Sequence, residues 1–149
     1  MKLILAEGGS ASSLSCDVTD PCEVGEVFRH TLAHHGHVDV VVNAVGMFAP
    51  TPVFESDPEV VARLIDVNLA GGIRVCLAAI EAMRDAGGVF VAVTSTQAVL
   101  AEANSPVYAA TKAGLGHFVA SLARPVLQAR HPGRRGCAWS DSHAHARQP

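Results

Sequence analysis

Tyr108 and Lys112 stand four residues apart in SPVYAATKAGLGHF, and Ser95 lies thirteen residues before the tyrosine, at the end of the apolar run VFVAVTS. On a helix, residues four apart share one face, so this spacing sets a phenol beside an ammonium. A free phenol, with a pKa of about 10, is a poor acid or base at neutral pH, but an adjacent cation favours its ionised form. At about 4 Å and an effective dielectric of about 20 the attraction is roughly 4 kcal/mol before desolvation is subtracted. Ser105 reads as an N-cap and Pro106 as the first helical residue, which places Tyr108 in the first turn, near the positive end of the helix dipole. The chemistry on offer is proton transfer. The same pattern also suits a surface lysine beside a half-buried tyrosine, so the surrounding elements must decide.

Those elements alternate. HVDVVVNAVG is an unbroken apolar run bounded by Gly36 and Gly46, and it predicts a buried parallel strand ending at Asn43. DPEVVARLIDVNLAGGIRVCLAAIEAMRDAG carries apolar residues at helical spacing, with Asp57 as N-cap, Pro58 at the first position, Gly87 just past the end and Asn68 inside. GVFVAVTS predicts a second buried strand that delivers Ser95 at its C-terminal edge, ahead of the Tyr108 helix. The order is strand, helix, strand, helix.

With these elements in place, the chain resembles the short-chain dehydrogenase/reductase family over roughly residues 12 to 124. CDVTD at residues 16 to 20 is similar to the family's acidic segment after its third strand, NAVG at 43 to 46 to its N-N-A-G strand end, and DVNLAG, VTST and YAATK carry Asn68, Ser95, and Tyr108 with Lys112. The spacings agree as well: 25 residues from Asn43 to Asn68, 40 from Asn68 to Tyr108 and 13 from Ser95 to Tyr108. The resemblance implies an α/β fold, a partial Rossmann-like doubly wound parallel sheet, and a ketoreductase-like oxidoreductase that moves hydride between NAD or NADP and a small carbonyl or alcohol substrate.

It also implies roles. Tyr108 is the general acid or base, Lys112 lowers its pKa and holds the nicotinamide ribose, Ser95 hydrogen-bonds the substrate oxygen, and Asn68 joins a proton relay through a water. Asp17 and Val18 are the expected adenine contacts, and Asn43, Ala44 and Gly46 line the cofactor cleft. Ala44 departs from the family's second asparagine. Simpler readings stand beside these: Ser95 ends a strand, Asn68 satisfies a kinked helix, and Asn43 pins neighbouring strands together.

Against the family pattern, this sequence shows no first strand followed by a glycine-rich turn, the arrangement that receives a pyrophosphate on backbone N–H groups. Gly8 and Gly9 in AEGGSAS do not form it. The second strand is also missing, so SSLSC, the third, loses its neighbours in a sheet ordered 3-2-1-4-5-6. Either SSLSC pairs elsewhere, or MKLILA substitutes, or the chain is incomplete; MKLILA itself reads as helix remnant rather than strand. After Pro125 no sixth strand is found. The expectation is therefore a family member truncated at both ends, with a domain over residues 1 to 124 and a disordered tail over 125 to 149, rich in Arg, His, Ser and Pro. A contrasting expectation is an inactive fragment serving as an interaction module, forming homo- or hetero-oligomers through the helices that carry Asn68 and Tyr108.

Composition narrows the classes. A net charge of −3 and 17% charged residues argue against a nucleic-acid partner, since basic residues cluster only at Arg130, Arg134 and Arg135. MKLILA is too short for a signal peptide and no run approaches a membrane span, so the expected location is cytoplasmic and no membrane partner is expected. Cys16, Cys22, Cys76 and Cys137 have no metal or redox spacing and read as reduced thiols. His30, His34, His35 and His37 read as a polar helix end, and no metal site is predicted. Mean hydropathy of +0.27 predicts that a core lacking strands will leave apolar surface exposed.

Overall fold

A computed structural model describes the backbone at residues 2–128 and 138–141, and side chains through residue 122. Helix α1 (Lys2–Ala6) is short and exposed, as the MKLILA reading expects. Helix α2 (Pro21–His35) starts where Asp20 accepts hydrogen bonds from the N–H of Cys22 and Glu23, and it stops at Gly36, whose φ of 79° only glycine adopts cheaply. Strand β1 (Val40–Asn43) follows. Helix α3 (Pro58–Ile65), a π-helical turn (Asp66–Gly71) and helix α4 (Gly72–Ala82) form one continuous helical run. Strand β2 (Val89–Ala92), a 3-10 turn (Thr96–Ala98), helix α5 (Pro106–Gln128) and strand β3 (Ala138–Asp141) complete the order.

The three strands are parallel in the order β1-β2-β3, with Val40 opposite Val89 and Phe90 opposite Trp139. Parallel strands joined through helices are the architecture expected from the sequence. Helices α2, α4 and α5 pack together over one side of the sheet, around a core of Val38, Cys76, Ala79, Met83, Phe90, Ala92, Leu115 and Val119, with Phe28 and Leu32 of α2 packed against it. Full burial of side chains such as Phe90 and Leu115 contributes about 1.5–3 kcal/mol each, which fixes the helices over the strands.

Four expectations change. The strand ending at Asn43 is not buried on both faces: Val40 and Val42 are 58% and 60% exposed. β1 is the edge of the sheet, and alternate residues of a strand face opposite sides, so the side away from the helices is left open. SSLSC is not a strand, because no described strand lies where it would pair. The helix predicted across Asn68 is interrupted by a π turn; its predicted start holds, with Asp57 accepting from the N–H of Glu59, but the helix stops at Ala82, and Gly87, at φ 77°, closes the turn that follows by donating to Met83 O. Finally, α5 runs through Pro125 to Gln128, and Ala138–Asp141 is a strand in the tail. A proline removes one N–H from the helical ladder without having to end it near a terminus, and the open edge of β2 gives a short segment backbone partners whatever its side chains. The other residues of the predicted disordered tail lie outside the described residues.

Candidate active site

Loops leaving the C-terminal ends of β1 and β2 meet the first turns of α5, the end of a parallel sheet at which ligands bind in open α/β folds. Lys112 is 4% exposed, and its Nζ donates to Val45 O at 3.4 Å and Val93 O at 3.3 Å, one acceptor from each loop. These bonds are long for an ammonium. Among the described residues it makes no ion pair. Burial without an anionic partner pushes its pKa below the ordinary lysine value. Nζ lies 6.0 Å from the Tyr108 ring centroid, at the outer limit of a cation–π contact. Tyr108 is half-buried, held edge-on against Phe48 with ring centroids 5.1 Å apart.

Asn68 is 1% exposed and sits in the π turn. Its Oδ1 accepts from Met47 N at 2.8 Å and its Nδ2 donates to Met47 O at 2.9 Å, a reciprocal pair that mimics a strand neighbour. A π turn carries an extra residue, which re-aims the side chain relative to a regular helix; such turns recur at functional sites. The residue between the two loop contacts is Gly46. A Cβ there would stand 2.9 Å from Lys112 Nζ and 3.1 Å from Asn68 Oδ1, so those two side chains converge on its open face.

Ser95 ends the β2 extension and caps the 3-10 turn, its Oγ accepting from Gln97 N at 3.2 Å. Gln97 Oε1 in turn accepts from Ser105 Oγ at 3.0 Å, which ties the Ser95 loop to the start of α5. That hydroxyl is thus directed at a side chain, while the N–H of Val107 donates to Thr51 Oγ1 at 3.4 Å from the opposite loop. Thr51, fully buried, therefore helps start the helix from a distance in sequence that no local cap pattern reveals.

Asp17 and Val18 line a pocket of about 530 Å³ that they share with Val45, Met47 and Arg63. Asp17 Oδ1 accepts from Thr19 N at 2.9 Å and Thr19 Oγ1 at 2.8 Å; these bonds hold its carboxyl below the usual range, with the guanidinium of Arg63 a smaller cause. Val18 O accepts from Arg74, which also pairs with Asp66 at 3.0 Å and so fastens this segment to the helical run.

The structure thus brings Asn68, Gly46 and Lys112 together, sets Tyr108 beside Lys112, and gathers Asp17 and Val18 with Val45 and Met47. Asn43 points elsewhere. Its Oδ1 accepts from Val45 N at 3.2 Å, but Nδ2, buried without a hydrogen-bond partner, lies under Gly72 near Leu115, on the helix side of the sheet. Ala44 is exposed beside it. Among the described residues no group of three or more metal-ligating side chains occurs, and no helix is long and apolar enough to cross a membrane. His30 and His34 stack with centroids 3.9 Å apart, and His37 meets Asp39 at 3.0 Å. The acceptors of Lys112, the Met47 peptide, Thr51 and Arg63 escaped the sequence reading, because each works through the fold rather than through local spacing.

Comparison with known proteins agrees with this fold. A family model described as enoyl-(acyl carrier protein) reductase matches residues 2–130. Carbonyl reductase family member 4 of Xenopus tropicalis is 32% identical over 128 residues, covering 85% of this chain and 54% of its own length. The 3-oxoacyl-[acyl-carrier-protein] reductase of Mus musculus is 31% identical over 121 residues, covering 81% and 51%. The chain spans about half the length of the curated relatives it matches. Among solved structures, a short chain dehydrogenase from Mycobacterium smegmatis superposes with a TM-score of 0.77 at 29% identity, covering 94% of this chain and 58% of that one. A short-chain type dehydrogenase/reductase from Mycobacterium ulcerans gives 0.77 at 28% identity, with 81% and 45% covered.

Proposed function

Since the chain belongs to the short-chain dehydrogenase/reductase family, whose members generally use NAD(P), we propose that it is an oxidoreductase acting on a small carbonyl or alcohol, with Tyr108 as general acid or base. The observation that carries this reading is the buried ammonium of Lys112, held by two backbone carbonyls beside the Tyr108 ring with no anionic partner among the described residues. A desolvated cation is costly unless polar groups surround it, and it stabilises negative charge developing on a neighbouring phenol.

The residues present fit two ends of a nicotinamide dinucleotide. Lys112, packed against Gly46, suits ribose hydroxyls, and the pocket at Asp17 and Val18 suits the adenine. Asn43 and Ala44 belong to the β1 end between them, although the Asn43 amide faces the helices. No glycine-rich phosphate turn occurs in this sequence, so affinity rests on those two ends. When bound, the nicotinamide supplies or takes up hydride. Tyr108 then passes its proton to the oxygen left by carbonyl reduction, Ser95 donates a hydrogen bond to that oxygen, and Lys112 sets a positive charge beside the ring. The Asn68 side chain holds the Met47 peptide in place, and its own carbonyl region positions a relay water.

Titration of the purified chain with NADH and NADPH, followed by nicotinamide fluorescence, tests this. Micromolar binding abolished by Lys112→Ala is expected; millimolar or absent binding would remove the enzymatic reading.

A second reading, an interaction module that assembles through the helices bearing Asn68 and Tyr108, draws on Ile65 and Leu77, which are exposed on the same helical run as Asn68. Light scattering over a concentration series separates it: a dimer lost on Leu77→Glu, without cofactor binding, would favour it.

A further inference from the structure

The pocket around Asp17 contains a residue to which no role has been assigned. Arg63 lies in the last turn of α3 and lines the pocket with Cys16, Asp17, Glu23, Val45 and Val67. It is the one basic side chain among the lining residues, facing two acidic ones. Phosphate placed here would be repelled by both carboxylates, whereas an uncharged ring would not.

Asp17 divides its oxygens. Oδ1 is committed to Thr19, while Oδ2 faces Arg63 Nη2 at 4.0 Å, beyond hydrogen-bond length. An amino donor reaching Oδ2 therefore comes to rest next to the guanidinium. A planar, delocalised guanidinium packs favourably on a π face, whereas a lysine ammonium offers only a point charge. Val45 and Val67 contribute apolar surface to the same pocket, suited to the body of such a ring.

We propose that Arg63 is a specificity-determining wall of this pocket, stacking on a 6-aminopurine whose amino group donates to Asp17. This rests on the cofactor reading above and adds a residue to it. The Asp17 carboxylate, held ionised by Thr19, remains an acceptor at neutral pH. A 6-oxopurine presents an oxygen to that carboxylate and is rejected.

Isothermal titration of the purified chain with adenosine, AMP and inosine tests the assignment in wild type, Arg63→Ala, Arg63→Lys and Asp17→Asn. The expected pattern is similar affinity for adenosine and AMP, weaker inosine, and a loss of about fivefold or more for both adenine ligands in Arg63→Ala that Arg63→Lys does not restore. Melting temperatures should stay level, because an exposed pair at 4.0 Å contributes little to stability. Wild-type adenosine affinity in Arg63→Ala, or rescue by Arg63→Lys, overturns the stacking role; if Asp17→Asn still weakens binding, the cofactor reading survives. A loss confined to AMP identifies a phosphate contact and equally overturns it. No adenosine binding by wild type, or no effect of Asp17→Asn, removes both the Arg63 role and the adenine site.

Discussion

Asn68→Asp exchanges one atom and opposes the arrangement that shapes the site. The wild-type amide gives Met47 both an acceptor, at 2.8 Å, and a donor, at 2.9 Å. A carboxylate keeps the first bond but turns the second into an oxygen facing an oxygen. The Met47 carbonyl then loses its partner, which costs about 1–3 kcal/mol. A charge at a position only 1% exposed adds a desolvation penalty, which the Lys112 ammonium converging on the same Gly46 face offsets in part, leaving the total at about 1–3 kcal/mol. Protonation restores a donor. The variant's carboxyl pKa is therefore raised in the folded state: folding is least impaired below the ordinary carboxylate value, and the deficit grows as pH rises through the range between the unfolded and folded values. Urea denaturation followed by circular dichroism at pH 5 and pH 8 reads this directly. A ΔΔG larger at pH 8 supports the reciprocal contact; a variant within about 0.5 kcal/mol of wild type at both pH values, inside the range of ordinary surface substitutions, would refute it.

Gly46→Ala should cost about 1–3 kcal/mol in denaturant titration and weaken NADH binding, since its methyl would press on Lys112 Nζ and on an Asn68 that is pinned at both ends. At pH 8 exposed Cys22 should react quickly with a disulfide reagent while buried Cys76, its thiol pushed up to about 12 by burial, stays inert until unfolding. Because that pKa is raised, stability present below the ordinary thiol range is lost as pH climbs towards about 12, and Cys76→Ala should show a shallower alkaline fall in melting temperature. Val42→Lys on the open side of β1 should lower light scattering at high concentration without loss of stability, and unchanged scattering would mean that this side does not self-associate.

Much of the site was legible where chemistry is tied to local pattern. Pro106 and the helical spacing placed Tyr108 and Lys112 on one helix, and the apolar runs ending at Asn43 and Ser95 placed two strand ends together in the sheet. Illegible features depend on groups distant in sequence. Lys112 finds Val45 O and Val93 O, acceptors that no side-chain pattern encodes, and Thr51 serves a helix that begins 55 residues later, at Pro106. The apolar run of β1 suggested burial on both sides, but burial requires covering elements, and the described residues supply them on one side only. A four-residue strand at Ala138–Asp141 owes its pairing to backbone groups, so the sparse apolar content of the tail was no guide.

The central claim is that Tyr108, with Lys112 beside it, transfers a proton as hydride moves. Oxidation of NADPH or NADH followed by absorbance, with a small ketone panel as acceptor, compares wild type with Tyr108→Phe, a change that removes the hydroxyl and keeps the ring packed on Phe48. The account predicts ketone-dependent oxidation that falls about 10²-fold or more in the variant. Equal rates in the two proteins, or no ketone-dependent oxidation by wild type, would contradict it.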